Sequence, residues 1–252
     1  MKQSLTFSLD TIHQHEALDA LRQLPDQSVD LVITDPPYNI ASANKTTIQR
    51  GKIVTTKQAW GAWDTFHPFD YDIFILTVIS QCYRVLRRGG AFYMFTSREN
   101  NGYFIRRAVE RRFTYKNQLV LVKSTALPSW SKASWRSAFE TCMYLTKGKP
   151  RCFNFHSQRE CVNVSNFSIR HKQTKHPTEK PLDFIRKLVL ISSNPGDLVL
   201  DPFMGSGTTA VACRQTGRRY LGFELSPDYI AMSRDRLKTT TPLTHADTAK
   251  DP

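Results

Sequence analysis

The chain has 252 residues, long enough for one large α/β domain, and its 40% hydrophobic content excludes a disordered or low-complexity protein. Lys and Arg number 35 against 22 Asp and Glu, a net charge of +13, which suits a polyanionic partner better than a small neutral substrate. Five cysteines, odd in number and never spaced C-x-x-C, argue against a disulfide framework and a zinc site, and no metal centre is expected. No apolar stretch approaches the length of a membrane span and no signal-type run follows Met1, so a cytoplasmic protein is expected.

In chain order, Val29 to Thr34 is a β-branched run read as a buried strand that Pro36-Pro37 must end. Apolar residues at Ile75, Val78, Ile79, Cys82, Val85 and Leu86 predict an amphipathic helix from about Tyr71 to Leu86, stopped by Gly89-Gly90. Ala91 to Thr96 reads as a strand, Tyr103 to Arg112 as a basic helix, Gln118 to Lys123 and Phe139 to Thr146 as further strands. From Lys147 to Lys175 periodicity is lost, as in a loop or recognition insertion.

Order resumes with a helix from Pro181 to Leu190, ended by Asn194-Pro195-Gly196. A strand at Asp197 to Asp201, a helix at Gly207 to Gln215, a strand at Arg219 to Glu224 and a helix at Pro227 to Leu237 follow. This alternation implies a parallel sheet. The segment 239–252 reads as a mobile tail.

Two runs carry chemistry, and each ends a strand, where open α/β sheets bind ligands. In Asp201-Pro202-Phe203-Met204-Gly205-Ser206-Gly207-Thr208-Thr209 the glycines let backbone approach a ligand, and the next helix offers free N–H groups. Thr208 stands where a phosphate-binding loop carries Lys, so phosphate is not the expected ligand. Glu224 follows Gly207 by 17 residues, near the spacing at which an acid accepts from a ribose diol, which implies a nucleoside cofactor. In Asp35-Pro36-Pro37-Tyr38 two prolines fix a carboxylate, a carbonyl and an aromatic ring together, a trio suited to a planar base bearing an amino group. The bland alternative for this run is a Pro-Pro turn with Tyr38 as packing, and for Glu224 an exposed acid at a strand end.

On these two runs, in this order, the chain resembles the β-class DNA amino-methyltransferases, which use S-adenosylmethionine. Leu24 to Asp30 and His176-Pro177-Thr178-Glu179-Lys180-Pro181 fit the same pattern, and the resemblance covers about His13 to Leu237. It implies a Rossmann-like methyltransferase fold: an α/β, mostly parallel twisted sheet with helices on both faces and a target-recognition insertion. It implies one domain over 1–238, with a catalytic half at about 10–123, a recognition region at about 124–175 and a cofactor half at about 176–238. Asp35, Pro36, Pro37 and Tyr38 become the catalytic residues. Glu16, Asp35, His176, Thr178, Lys180, Asp201, Phe203, Gly205, Ser206, Gly207, Thr208 and Glu224 become the cofactor residues. Within that set, Lys180 is expected to pair with the cofactor carboxylate, and Glu16 stands where the family often has Asp against the adenine.

The implied reaction is methyl transfer to adenine N6 in a flipped-out base of double-stranded DNA. Cytosine N4 uses the same geometry and stays open, as does a catalytically silent DNA-binding protein of the same fold. Cytosine C5 chemistry is disfavoured because no cysteine here follows a proline. Between Arg98 and Lys187, 19 basic residues face 6 acidic ones, while the remainder balances at 16 against 16. Arg106, Arg107, Arg111, Arg112, Lys132 and Arg136 are the candidates for phosphate contact there, with Trp130 and Trp135 available to wedge or to pack. Sequence readout is expected between Lys123 and Lys175, with Ile40 to Trp63 as a second loop. A homodimer and a cognate restriction endonuclease are partners the resemblance leaves open.

Overall fold

The computed structural model describes residues 6–39, 45–49, 52–56, 66–124, 135–167 and 179–243. Its main sheet contains β1 (Thr11–Gln14), β2 (Val29–Thr34), β5 (Leu86–Thr96), β6 (Thr114–Lys123), β7 (Phe139–Thr146), β8 (Val164–Phe167), β9 (Leu198–Asp201) and β10 (Arg219–Glu224). The order across it is β1-β10-β9-β2-β5-β7-β6-β8. A separate antiparallel pair, β3 (Lys45–Gln49) and β4 (Lys52–Thr56), lies within the stretch read as a second loop.

The helices are α1 (Ala17–Gln23), α2 (Pro68–Val85), α3 (Asn101–Glu110), α4 (Leu182–Ser192), α5 (Thr208–Thr216) and α6 (Pro227–Thr239). Strand side chains alternate between two cores, as a pleated sheet covered on both faces requires. Val32, Met94, Leu200 and Phe223 face α1, α2 and α3, while Ile33, Tyr93, Val199 and Tyr220 face α4, α5 and α6. From β2 the chain moves outward to β5 through α2 on one face. From β9 it moves outward to β10 through α5 on the other. β2 and β9 are neighbours, with Leu31 opposite Val199 and Val32 opposite Leu200. The crevice at their carboxyl ends is therefore the topological switch point where α/β sheets hold ligands.

That register is fastened at the opposite edge. Asp30 is 2% exposed; its Oδ2 accepts from the Leu198 amide at 3.0 Å, and Arg87 Nη1 reaches both carboxylate oxygens at 2.6 and 2.7 Å. A buried carboxylate paired in this way costs least, and here it ties β2 to β9 one strand length below the site.

Several expectations need correction. Gly89-Gly90 does not stop α2, which already ends at Val85; the glycines lie inside β5, where the register against β2 shifts. Gly90 is needed there because a Cβ would come within 2.8 Å of the Asp30 carbonyl. The basic helix is Asn101–Glu110 rather than 103–112, and β6 begins at Thr114 rather than Gln118. Pro181 is the N-cap of α4, not its first helical residue. The sheet is mixed, since β7 runs antiparallel to both β5 and β6 while every other pairing is parallel. Short β8 lies in the stretch that lacks periodicity, and β1 and α1 precede Val29–Thr34, the first strand the sequence predicts. Of the tail, residues 239–243 are described, with the Leu243 amide bonded to the Gln215 carbonyl at 2.9 Å. Residues 244–252 lie outside the described residues. Among the described residues no helix is long and apolar enough to cross a membrane.

Candidate active site

A cavity of about 670 Å³ sits at the carboxyl ends of β2, β9 and β10, within the range of small-molecule sites. Of the residues singled out from sequence, Glu16, Asp35, Pro37, Lys180, Asp201, Phe203, Gly205, Ser206, Thr208 and Glu224 line it. Pro36, Tyr38 and Gly207 are not in its wall. His176, Thr178, Lys132 and Trp130 lie outside the described residues.

Asp35 follows β2 directly and is held from two sides. Its Oδ2 is 2.8 Å from Lys180 Nζ, and Tyr38 Oη donates to its Oδ1 at 2.6 Å. Burial pushes the Asp35 carboxyl above its ordinary value, against the pull of Lys180. Pro37 is fixed by the Tyr71 hydroxyl, which donates to its carbonyl at 3.1 Å. The Tyr38 ring packs on the α4–α6 face, under the Lys180 ammonium at 5.5 Å.

Lys180 has partners that sequence reading did not foresee. Expected to meet a cofactor carboxylate, it bridges Asp35 and Glu140, whose Oε2 is 3.1 Å away. The ammonium also lies 4.8 Å from the Phe95 ring centroid. Burial alone would lower the Lys180 pKa, but the two carboxylates overcome it and hold the amine charged. Glu140 is likewise desolvated, yet Lys180 and Lys123 bring its carboxyl down to about 2.

The second run forms the other wall. Gly205 and Gly207 have φ of +52° and +81°, the left-handed region that favours glycine. At Gly207 a Cβ would also lie 2.8 Å from that of Ser233. Asp201 is buried; the Phe203 amide donates to its Oδ1 at 3.1 Å and Thr209 Oγ1 to its Oδ2 at 2.7 Å. Burial outweighs both bonds and raises its pKa to about 7. Glu224 accepts from the Gly205 amide at 2.8 Å and from the Ser226 amide at 2.9 Å. It braces the glycine loop, and an ionised carboxylate so used retains further acceptor sites. Glu16 does a similar double duty as N-cap of α1, accepting from the Asp19 amide at 2.8 Å.

Arg236 of α6 carries no sequence signal, yet it joins the two walls. Its Nη1 donates to the Ser206 carbonyl at 2.8 Å and to Thr208 Oγ1 at 3.1 Å, while Nη2 pairs at 3.2 Å with Glu179, whose side chain is 4% exposed. The segment carrying Lys180 is thus tied to the glycine loop. Thr34, last residue of β2, is 1% exposed and lines the cavity, and its Oγ1 has no hydrogen-bond partner among the described residues.

The basic candidates divide. Arg111 Nε donates to Ser80 of α2 at 2.9 Å. Arg111 and Arg112 lead into β6, whose first residue, Thr114, pairs with Thr146, itself opposite Ala91. Ala91 is the first residue of β5 to pair with β7, so both arginines lie toward the amino ends of β5 and β6, away from Asp35. Arg107 pairs with Glu110 at 2.8 Å and lies over the Tyr103 ring, while Arg106 is exposed on α3. Arg136 is different. It adjoins Trp135, which is 98% exposed and so not a core residue, just before β7 at the edge that carries the cavity. Arg98 reaches the same segment through Ser137 Oγ.

The chain is similar to known proteins over most of its length. The chain is 28% identical over 263 residues to the type II methyltransferase M.HinfI of Haemophilus influenzae, spanning 96% of this chain and 72% of that protein. It is 30% identical over 271 residues to the DNA adenine methyltransferase YhdJ of Escherichia coli (strain K12), spanning 95% and 86%. The crystal structure of the M1.HpyAVI–SAM complex superimposes with a TM-score of 0.70 at 25% identity, covering 90% of this chain and 98% of that one. The PvuII DNA methyltransferase (cytosine-N4-specific) gives 0.71 at 21% identity over 92% and 87%, a likeness of fold. A family model described as DNA methylase matches residues 29–235, and with it the chain belongs to the N6/N4 DNA methylase family.

Proposed function

We propose that this protein transfers a methyl group from S-adenosylmethionine to the exocyclic N6 of adenine in DNA. The observation that carries the reading is the single cavity that joins Asp35 and Lys180 to the Asp201–Thr209 loop and Glu224. The donor set fits the cofactor. Glu224 and Glu16 offer acceptors for a ribose diol and an adenine amino group, the glycines leave room for a ligand to approach the loop, and the Thr34 hydroxyl in the cavity wall has no partner among the described residues. When bound, S-adenosylmethionine supplies an electrophilic methyl on its sulfonium.

The chain's own residues must make a poor nucleophile attack. The adenine amino lone pair is delocalised into the ring, and acceptance of its two N–H bonds by the Asp35 carboxylate and the Pro36 carbonyl draws it back onto nitrogen. Lys180 stabilises the ionised form of Asp35 in a buried setting that otherwise favours protonation. Tyr38, pinned by its hydroxyl on the same carboxylate, keeps an aromatic face beside the amino group's place and offers the base a stacking surface. Asp35 then receives the proton released as the new C–N bond forms.

Duplex DNA must yield the base by flipping. Trp135, Arg98 and Arg136 at the cavity edge are assigned to that step and to the phosphates, and the region 124–175 to sequence readout. Adenine is preferred because Asp35 opens the catalytic run where cytosine-N4 enzymes commonly carry Ser, and because YhdJ, an adenine methyltransferase, is the 30% identical relative. The test is transfer of labelled methyl from the cofactor to unmethylated DNA, followed by sequencing of the product. Transfer to adenine N6 that disappears in Asp35→Ala supports the proposal; transfer to cytosine N4 replaces its target, and equal transfer by the variant removes the role of Asp35.

A further inference from the structure

Glu140 belongs to no motif, and it stands on β7, the strand that runs against its neighbours. Its Oε1 is 2.9 Å from Lys123 Nζ on β6, and its Oε2 is 3.1 Å from Lys180 Nζ, an ion pair without an aligned hydrogen bond. Lys180 in turn meets Asp35 at 2.8 Å. Four charges therefore alternate in sign, Lys123, Glu140, Lys180, Asp35, from the start of the recognition region to the catalytic run. Tyr38 after β2, Cys142 on β7 and Asp201 at the end of β9, whose carboxyl the charge of Asp35 helps to raise, are the other titratable groups at this cluster among the described residues; Asp201 is common to all the variants compared below.

The alternation has a chemical consequence. A lone Lys180–Asp35 pair would direct the ammonium's hydrogen-bonding capacity onto the very carboxylate that must accept from the base, and so weaken it as an acceptor. A second carboxylate on the other side of the ammonium divides that pull. With its side chain only 10% exposed, Lys180 has little water to do the same. We infer that Glu140 is a positioning residue, holding Lys180 between two carboxylates so that Asp35 remains a strong acceptor for the amino group of the base. Lys123 completes the device by neutralising Glu140 at the rim. The inference rests on the methyltransferase reading given above.

The test is single-turnover methyl transfer across pH by the wild type, Glu140→Gln, Glu140→Asp and Lys123→Met, with cofactor affinity and melting temperature measured alongside. Glu140 raises the Asp35 pKa, so its neutralisation moves the acid limb of the rate to lower pH while the plateau falls by about tenfold or more. Glu140→Asp returns the limb toward the wild-type position. Lys123→Met moves it the other way, because an unneutralised Glu140 acts more strongly on Asp35, and this variant carries the test should Glu140→Gln fail to fold. Damage to packing alone would lower the plateau without moving the limb. An active wild type whose limb and plateau are unchanged in Glu140→Gln overturns this inference alone. A wild type that transfers no methyl to DNA overturns the methyltransferase reading and this inference with it.

Discussion

Thr34→Val separates a structural from a ligand-binding role at one atom. The Thr34 hydroxyl is buried in the cavity wall without a partner among the described residues, and an unpaired buried hydroxyl costs about 1–3 kcal/mol. Valine keeps the branched shape and an equal preference for strands, so the change removes the polar atom and little else. The cofactor-free variant should therefore be more stable, by about 1 kcal/mol, which for a chain of this size raises the melting temperature by about 2–4 °C.

The bound state should respond in the opposite sense. Because Val32 pairs with Leu200, Thr34 stands beside the start of the loop assigned to the cofactor. Loss of one hydrogen bond there, worth about 0.5–1.5 kcal/mol, weakens cofactor binding about two- to tenfold. Thermal melts with and without S-adenosylmethionine, together with calorimetric titration, read both effects. A variant that is less stable without cofactor, or binds it as well as the wild type, refutes the argument, since the hydroxyl would then be satisfied within the protein.

The other expectations concern the loop, its carboxylate and the basic surface. Gly207→Ala places a Cβ at φ +81° and 2.8 Å from the Ser233 Cβ; it should cost about 1–3 kcal/mol in a denaturant melt and abolish detectable cofactor binding by titration. Asp201 has a folded pKa of about 7 against an ordinary 3.8, so the folded chain keeps a proton that the unfolded chain releases, and stability falls as pH rises between these values. The melting-temperature gain of Asp201→Asn over the cofactor-free wild type should then grow from about pH 4 to about pH 7 and level off above; a gain independent of pH would show that Asp201 is ionised throughout. Arg136→Ala should reduce the salt dependence of DNA binding by about one in the slope of log K against log salt, while Arg112→Ala, at the far edge, should leave it unchanged.

The parts legible from sequence are those whose cause is local. Val29–Thr34 and Arg219–Glu224 begin and end where the sequence predicts, because apolar runs meet Pro-Pro at one end or turn residues at both. Both chemical runs were legible because prolines and glycines encode backbone geometry directly. Partnerships across the fold left no such mark. The family resemblance assigns Lys180 to the cofactor, but its neighbours are decided by β7, which brings Glu140 to it across 40 residues of chain. Arg236 looks like one more basic residue in the last turn of an amphipathic helix until α6 packs against the loop. The direction of β7 was likewise hidden, because a buried strand presents the same apolar run whichever way it points. The basic excess showed its position in the chain but not its place on the surface, and Arg111 and Arg112 show how far the two can part.

Sheet order also changes what the sequence of the two runs along the chain means. β2 and β9 lie side by side although more than 160 residues separate them, and each leads outward through its own helix on its own face. Their meeting at the switch point needs neither to come first. A chain that began with the cofactor run would place the same carboxylate beside the same glycine loop. What the observed order decides is where the rest of the chain goes. After β5 it must travel to the far side of the sheet and return before β9 can enter, and it does so through β6, β7 and β8 at the edge beyond β5. The region assigned to recognition, 124–175, makes up most of that excursion. Its antiparallel strand β7 starts at the carboxyl edge and delivers Glu140 beside Lys180, so the segment assigned to reading DNA also supplies the charge that completes the cluster around Asp35.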